Sequence, residues 1–377
     1  MNILVVIHEF PPIGGGGGRA AYDICKELVK GGHQVSILTA HMTGMARNEI
    51  VDGIHVWRLP SLRKMPYRAP FSAMMAFVLA GLWAGYAFIR KNKPDVIHAH
   101  FAVPAGAVAF LLSKITGVPY VLTAHLGDVP GGVPEKTGKW FRWLEPFTRP
   151  IWKHARQIVA VSEYTRQLAL QHYPVQIEVI PNGVDVKLHA PAEIILNTPL
   201  RLVFAGRFMP QKNPLAIVQI LSQLKDLEWR CAMLGDGPLF QEVKREIEKY
   251  EMLDRFELPG WVTPQDVLDW FDKSDILFMP SLSEGLPVVG VQALAKGLAL
   301  VVSDIGGFVD LVDNEKNGQL VDVQDHASFE SFLRALLTNP DLVLRYRKMS
   351  LEKAYSFDIS TVSEKYQKIF QEIMLES

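Results

Sequence analysis

The stretch PSLSEGLPVVGVQALAKG, Pro280–Gly297, sets one carboxylate, Glu284, behind an apolar run and one amide, Gln292, inside the next. Pro287 suits the first turn of a helix, where its missing N–H costs nothing. Glu284 just ahead of it is either a plain partner of the helix dipole or a charge aimed at a ligand. Val288, Val289, Val291, Ala293, Leu294 and Ala295 are apolar on nearly every side, which predicts a buried helix. Gln292 within it then needs hydrogen-bond partners, because an unsatisfied buried amide costs roughly 1–3 kcal/mol. Hydroxyl groups of a ligand could supply them.

FAGRFMPQKNP places Arg207 and Lys212 in one short loop. Two cations at a sheet edge suit a diphosphate, since Arg forks to two oxygens while Lys supplies a point charge. Loop cations are also often simply solvated. FPPIGGGGGRAAYDICKEL follows the first apolar run and opens a helix through five consecutive glycines, Gly14–Gly18. Such a run is entropically unfavourable, so either the backbone must approach something closely or take positive φ, or the loop is merely flexible. A phosphate resting on amides at a helix N-terminus is one such requirement. The spacing is not the dinucleotide fingerprint, and no acidic residue closes the second strand at SILTAH. LTAHLGD sets His125 directly after a buried strand, while HAHF sets His98 and His100 at another strand end, where a structural role is expected.

All of these residues need strand ends to stand on. Apolar runs alternate with amphipathic, helix-length segments: NILVVI, QVSILT, DVIHAH, PYVLTA, QIVAVS and IEVIPN first, then LRLVFAG, WRCAMLG, DILFMPS and LALVVSD, with Arg19–Lys30 and Leu239–Tyr250 among the helices. That order predicts βαβ units and parallel sheets covered on both faces. The break between halves is expected near Pro181–Pro199, where turn residues precede a fresh buried strand. Ligands of such sheets bind at the carboxyl ends of the strands.

A chain of 377 residues, 49% apolar and 21% charged, is long enough for two cores and too apolar for disorder. Its two cysteines, Cys25 and Cys231, lie among apolar neighbours in opposite halves, which suits buried hydrophobes in a reducing compartment. No cluster with metal-ligand spacing is visible. MNILVVIHEFPP has no basic leader region, so it is expected to be a strand, and a cytoplasmic location follows. Residues 1–182 hold 19 Lys and Arg against 11 Asp and Glu, whereas the remainder holds 20 against 29. The basic half suggests an anionic partner, for which nucleic acid and an anionic membrane surface are both candidates.

PPIGGGGG, KPDVIHAH, LTAHLGD, VSEYTRQ, VIPNGVD, GRFMPQKN, LGDGP, SEGLPVVGVQALAKG and DIGGFVDLV occur in the order and spacing of family 4 glycosyltransferases, which the chain resembles over nearly its whole length. The resemblance implies an α/β GT-B fold of two Rossmann-like, doubly wound parallel-sheet domains facing across a cleft. It implies an acceptor-binding domain over 1–183, a nucleotide-sugar-binding domain over 184–355, and a helix over 356–377 crossing back to the first. It further implies a retaining transferase that takes a sugar from a nucleotide-diphosphate-sugar to a glycan or lipid-linked acceptor in envelope or surface polysaccharide biosynthesis. Catalytic roles then fall to Glu284, His125, Arg207 and Lys212, and donor contacts to Gly16, Gly17, Arg207, Lys212, Leu286, Val288 and Gln292. The leaving diphosphate oxygen would accept the acceptor's proton, and neither a metal nor any cofactor besides the donor is expected; nor is nucleic acid a partner. Two positions depart from the family pattern: Gln292 and Asp310 stand where it carries Glu. They leave open a catalytically weak nucleotide-sugar-binding partner subunit, and a sugar-nucleotide epimerase of the same fold, which would need an acid and a base at the sugar, is a further alternative.

One segment lies outside this scheme. FSAMMAFVLAGLWAGYAFI, Phe71–Ile89, is 19 residues without a charge, near bilayer length, flanked by Arg58, Arg63, Lys64 and Arg68 before it and Arg90, Lys91 and Lys93 after it. A true span would split one sheet across the membrane and is rejected. Either a core helix with an apolar face docked on the inner face of an anionic membrane, or an ordinary buried helix, is expected.

Overall fold

A computed structural model describes residues 1–65, 69–133 and 141–375. Arg68, named above as a flanking base, lies outside them. The chain divides into two compact units, Met1–Gly183 with Ile359–Ser377, and Val184–Asp358.

The first unit is built on an eight-stranded sheet in the order β3-β4-β2-β1-β5-β6-β7-β8. Its strands are β1 Asn2–Val6, β2 Gln34–Met42, β3 Asn48–Val51, β4 Ile54–Arg63, β5 Val96–His100, β6 Tyr120–Ala124, β7 Gln157–Ala160 and β8 Glu178–Val179. All neighbours run parallel except β3 against β4. β5 and β6 are buried along their whole length, as central parallel strands are, although β5 carries His98 and His100 and β6 carries Thr123.

Helices cover both faces of this sheet. On one side α1, Gly16–Lys30, and the helix Ile359–Leu375 share a core through Ile24, Leu28, Tyr366, Ile369 and Phe370. Tyr366 reaches deepest, its hydroxyl 3.1 Å from Thr123 Oγ1. On the other side α2, Phe71–Asn92, packs on α3, Ala107–Thr116. Their approach is close because α2 presents glycines: a Cβ on Gly81 would lie 3.1 Å from Val108, and one on Gly85 2.5 Å from Leu112. Cys25 and Cys231 are buried and free.

The second unit carries a six-stranded parallel sheet in the order β11-β10-β9-β12-β13-β14. These strands are β9 Arg201–Ala205, β10 Arg230–Leu234, β11 Phe256–Gly260, β12 Ile276–Met279, β13 Ala299–Ser303 and β14 Gly318–Val321. A buried ion pair ties its last long helix to the sheet: Arg347 meets Asp275 at 2.6 Å, and the same carboxylate accepts the Arg201 N–H at 2.8 Å. Such a pair is fully hydrogen-bonded, which is the condition for tolerating charge in a core.

Candidate functional site

Each sheet reverses its strand order in the middle, between β1 and β5 in the first unit and between β9 and β12 in the second. Loops leaving neighbouring strands at such a point diverge to opposite faces and leave a crevice at the carboxyl ends. Most of the chemically promising residues follow these four strands.

In the first unit the loop after β1 carries the glycines. Gly14 takes φ +102°, and a Cβ on Gly18 would stand 2.5 Å from the Glu9 carbonyl oxygen. Gly17 is closed off likewise, because a Cβ there would lie 2.6 Å from the Phe101 ring and 3.2 Å from His125. Close approach is therefore required at these positions, and the chain itself supplies the neighbours. Gly16 begins α1, whose N-terminus has no side-chain cap.

His125 follows β6 and is buried, its backbone N–H donating to Asp128 at 2.8 Å. Phe101, one residue past β5, stacks on it at 4.3 Å between centroids. Phe101 holds φ +73°, a region a bulky side chain rarely enters, so the surrounding packing outweighs a local cost of about 1–3 kcal/mol. Burial pushes the His125 imidazole down to about 4, an effect the Glu9 charge partly opposes. The ring is neutral at ordinary pH, and its Nε2 has no hydrogen-bond partner among the described residues.

His98 and His100 lie behind it. His98 bonds Thr123 Oγ1 at 2.8 Å, and burial pushes its ring down to about 3. His100 is buried, driven in the same direction by burial, and finds no partner for either ring nitrogen among the described residues. His98 is thus tied into the core, as expected for a structural residue.

The second unit assembles charges instead. Arg207 begins the loop after β9 and is half-buried; five residues on, Lys212 closes a 3₁₀ turn, Pro210–Lys212. Across the crevice Glu284 follows β12, and Lys212 Nζ donates to its Oε1 at 2.5 Å. Glu284 is 5% exposed, so this contact occurs largely out of water, where an ion pair is strong and a lone charge costly. Two ties hold the loops in register: Gln211 Nε2 donates to the Ser283 carbonyl at 2.8 Å, and the Leu282 N–H donates to the Gln211 carbonyl at 2.8 Å. A third comes from the loop after β13. The Gly307 N–H donates to the Glu284 carbonyl at 3.1 Å, and a Cβ on Gly307 would lie 1.5 Å from the Gly285 oxygen, so only glycine fits there.

Leu286 and Val288 continue from Glu284 into the helix Val288–Ala295, which is buried as its composition predicts and has no side-chain cap at its N-terminus. Gln292 is 7% exposed, and its side chain has no hydrogen-bond partner within the chain among the described residues. An amide so placed is open to water or to a ligand.

Of the residues singled out in the sequence, Lys212 and Glu284 are in direct contact, Leu286, Val288 and Gln292 run on from them, and Gly17 abuts His125. Asp310 is half-buried in the short helix Phe308–Leu311. Sequence reasoning had not paired Lys212 with Glu284, and no spacing signal joins residues 72 apart. Gln211 and Phe101 were passed over as well, although FAGRFMPQKNP contains the first and HAHF the second. Among the described residues no group of three or more metal-ligating side chains converges.

Comparison with known proteins bears on the whole chain. Residues 14–188 match the family described as Glycosyltransferase Family 4, and residues 188–353 match Glycosyl transferases group 1. The UDP-Gal:alpha-D-GlcNAc-diphosphoundecaprenol alpha-1,3-galactosyltransferase of Escherichia coli is 29% identical over 275 residues, 68% of this chain and 69% of that protein. Among solved structures, sucrose-phosphate synthase from Thermosynechococcus elongatus superposes with a TM-score of 0.86 at 19% identity, covering 100% of both chains. Anabaena HepE in complex with UDP and glucose gives 0.77 at 16% identity, covering 99% of this chain and 100% of that one. These two likenesses establish the GT-B fold.

Proposed function

The chain belongs to the family 4 glycosyltransferases, retaining enzymes that use nucleotide-sugar donors, and we propose that it transfers a hexose from a UDP-sugar to a glycan or lipid-linked acceptor of envelope or surface polysaccharide. The observation that carries this reading is the Lys212–Glu284 contact at 2.5 Å, on two loops that adjoin at the reversal of strand order.

In the proposed reaction Arg207 and Lys212 take the diphosphate, and Lys212 exchanges part of its bond to Glu284 for phosphate oxygen. The backbone N–H groups near Leu286 and Val288 add donors, and the Gln292 amide takes the ribose hydroxyls, accepting through its carbonyl and donating through its nitrogen. Gly16 and Gly17 offer backbone donors at the start of α1, and His125 Nε2 offers a hydrogen bond to a sugar oxygen. The acceptor oxygen bonds to the anomeric carbon as the bond from that carbon to diphosphate oxygen breaks. The hydroxyl proton passes to the departing oxygen on the same face. Cations fixed beforehand at that oxygen stabilise charge as it develops, the term that most often dominates such catalysis. The donor is the only co-substrate in this scheme and the work is placed in the cytoplasm.

UDP is put first because the E. coli relative is named for UDP-Gal and HepE was solved with UDP. The test is a calorimetric screen of UDP-, GDP- and ADP-sugars, followed by slow donor hydrolysis without acceptor. Tight binding with release of UDP is expected. Interconversion of the donor sugar, or binding without any turnover once acceptors are supplied, would replace transfer with epimerisation or with a binding role.

A further inference from the structure

We propose that the face of α2 and α3 turned away from the sheet docks on an anionic phospholipid surface, with α2 lying in the plane of the headgroups. This inference stands apart from the transfer chemistry.

Among the described residues α2 is the one helix long and apolar enough to cross a bilayer. Half of it is already committed. Ala73, Phe77, Gly81, Gly85 and Ile89 recur every four residues and are buried against the unit's own core, so a spanning helix would strip that face from its neighbours. The opposite stripe is exposed: Met75 43%, Leu79 67%, Trp83 81% and Tyr86 44%. α3, packed beside it, adds Leu111 at 38% and Ile115 at 64%. A contiguous apolar patch of this kind on a soluble unit marks a binding surface.

Charge selects the occupant. From Gly53 to Pro94 the sequence has seven Lys and Arg and no Asp or Glu; Arg58 and Arg63 among them are buried and paired with Glu49 and Glu9, and α3 adds Lys114. Lys64, Arg90, Lys91 and Lys93 are exposed. An apolar stripe bearing Trp and Tyr, flanked by Lys64, Arg90, Lys91 and Lys93, matches the boundary between acyl chains and anionic headgroups, each basic side chain adding about 1 kcal/mol near such a surface. The docked helix also adjoins the strand-end face, since its Ala73, Met74 and Phe77 line a small cavity with His8, Ser61 and Arg63.

The experiment is co-sedimentation of the full chain with vesicles of phosphatidylcholine alone or mixed with phosphatidylglycerol. Binding is expected only to the mixed vesicles, with release as NaCl rises from about 0.05 to about 0.5 M. A Leu79→Ser/Trp83→Ser variant and an Arg90→Glu/Lys91→Glu variant should each lower partitioning by about tenfold or more while melting like the parent, because all four side chains are exposed. Equal binding to neutral vesicles, or undiminished binding by either variant, overturns the proposal. So does absence of vesicle binding together with self-association that Leu79→Ser/Trp83→Ser abolishes, which would make a second copy of the chain the occupant.

Discussion

The two crevices are topological equivalents furnished differently. At the strand ends of the first unit His125 is driven to neutrality by burial and has an open Nε2 among the described residues, beside an ion pair of Arg63 with Glu9 at 3.2 Å, while His98 and His100 lie buried behind it. At those of the second unit a cation and an anion satisfy each other. Burial without a counter-charge removes charge, whereas burial with one preserves it. The first crevice therefore offers a neutral ring beside charges that are already paired, which suits an uncharged, hydroxyl-rich group. The second is suited to an anion able to compete with Glu284 for Lys212.

The contrast breaks most visibly at the ion pair. Lys212→Met leaves Glu284 buried without its partner and removes a cation from the departing phosphate. Donor kcat/KM should fall about a thousandfold, with kcat and KM both affected. Glu284→Gln keeps the cation, so donor affinity should stay near that of the parent while kcat falls about a hundredfold. Steady-state kinetics on the two variants decides it; small and equal losses would reduce the pair to a structural tie.

Acid should separate the units next. The histidines of the first crevice bind protons less readily when folded than when unfolded, so the unfolded chain gains protons first as pH falls. Stability is full above about pH 6.5 and is lost as pH descends toward the folded values, about 4 for His125 and about 3 for His98. His125 alone contributes roughly 2–3 kcal/mol across that window. The second unit has only His189 and His326, neither buried. Hydrogen exchange followed from pH 7 to about pH 4 should show β5 and β6 losing protection before β9 and β12. Simultaneous loss would mean that carboxylate titration, not the histidines, governs acid sensitivity.

The smallest effect sharpens the comparison within the second crevice. Gln292→Leu should weaken donor binding by roughly 1–3 kcal/mol, the cost of leaving hydroxyls unpaired. Gln292→Glu should match or modestly exceed the parent, because a carboxylate accepts from two hydroxyls with charge assistance. Calorimetry on both suffices, and parental affinity in Gln292→Leu would return Gln292 to the role of a core amide.

The sequence exposed the strands buried on both faces, since NILVVI, LRLVFAG and LALVVSD each contain one as a largely apolar run, and in DVIHAH two histidines alone interrupt it. It hid the strands toward the sheet edges. β4 alternates apolar and polar residues, β3 is four residues long and half-exposed, and β11 contains a proline; none carries the continuous signal of a central parallel strand. Within the site, residue types were legible but pairings were not. Lys212 was visible as a cation and Glu284 as a carboxylate, yet their contact depends on β9 lying beside β12, which only the strand order reveals.

The helix Ile359–Leu375 gives the order of synthesis a consequence for folding. Its residues are made only after the whole of the second unit, yet Val362, Tyr366, Ile369, Phe370 and Ile373 form one wall of the core of the first. Burying five such side chains contributes on the order of 10 kcal/mol, comparable with the net stability of an entire domain. The first unit therefore waits on the ribosome with that wall open, its sheet exposed beside α1 while some 175 residues of intervening chain are translated, on the order of 10–30 seconds at ordinary elongation rates. A fragment cut after Gly183 would be caught permanently in that state.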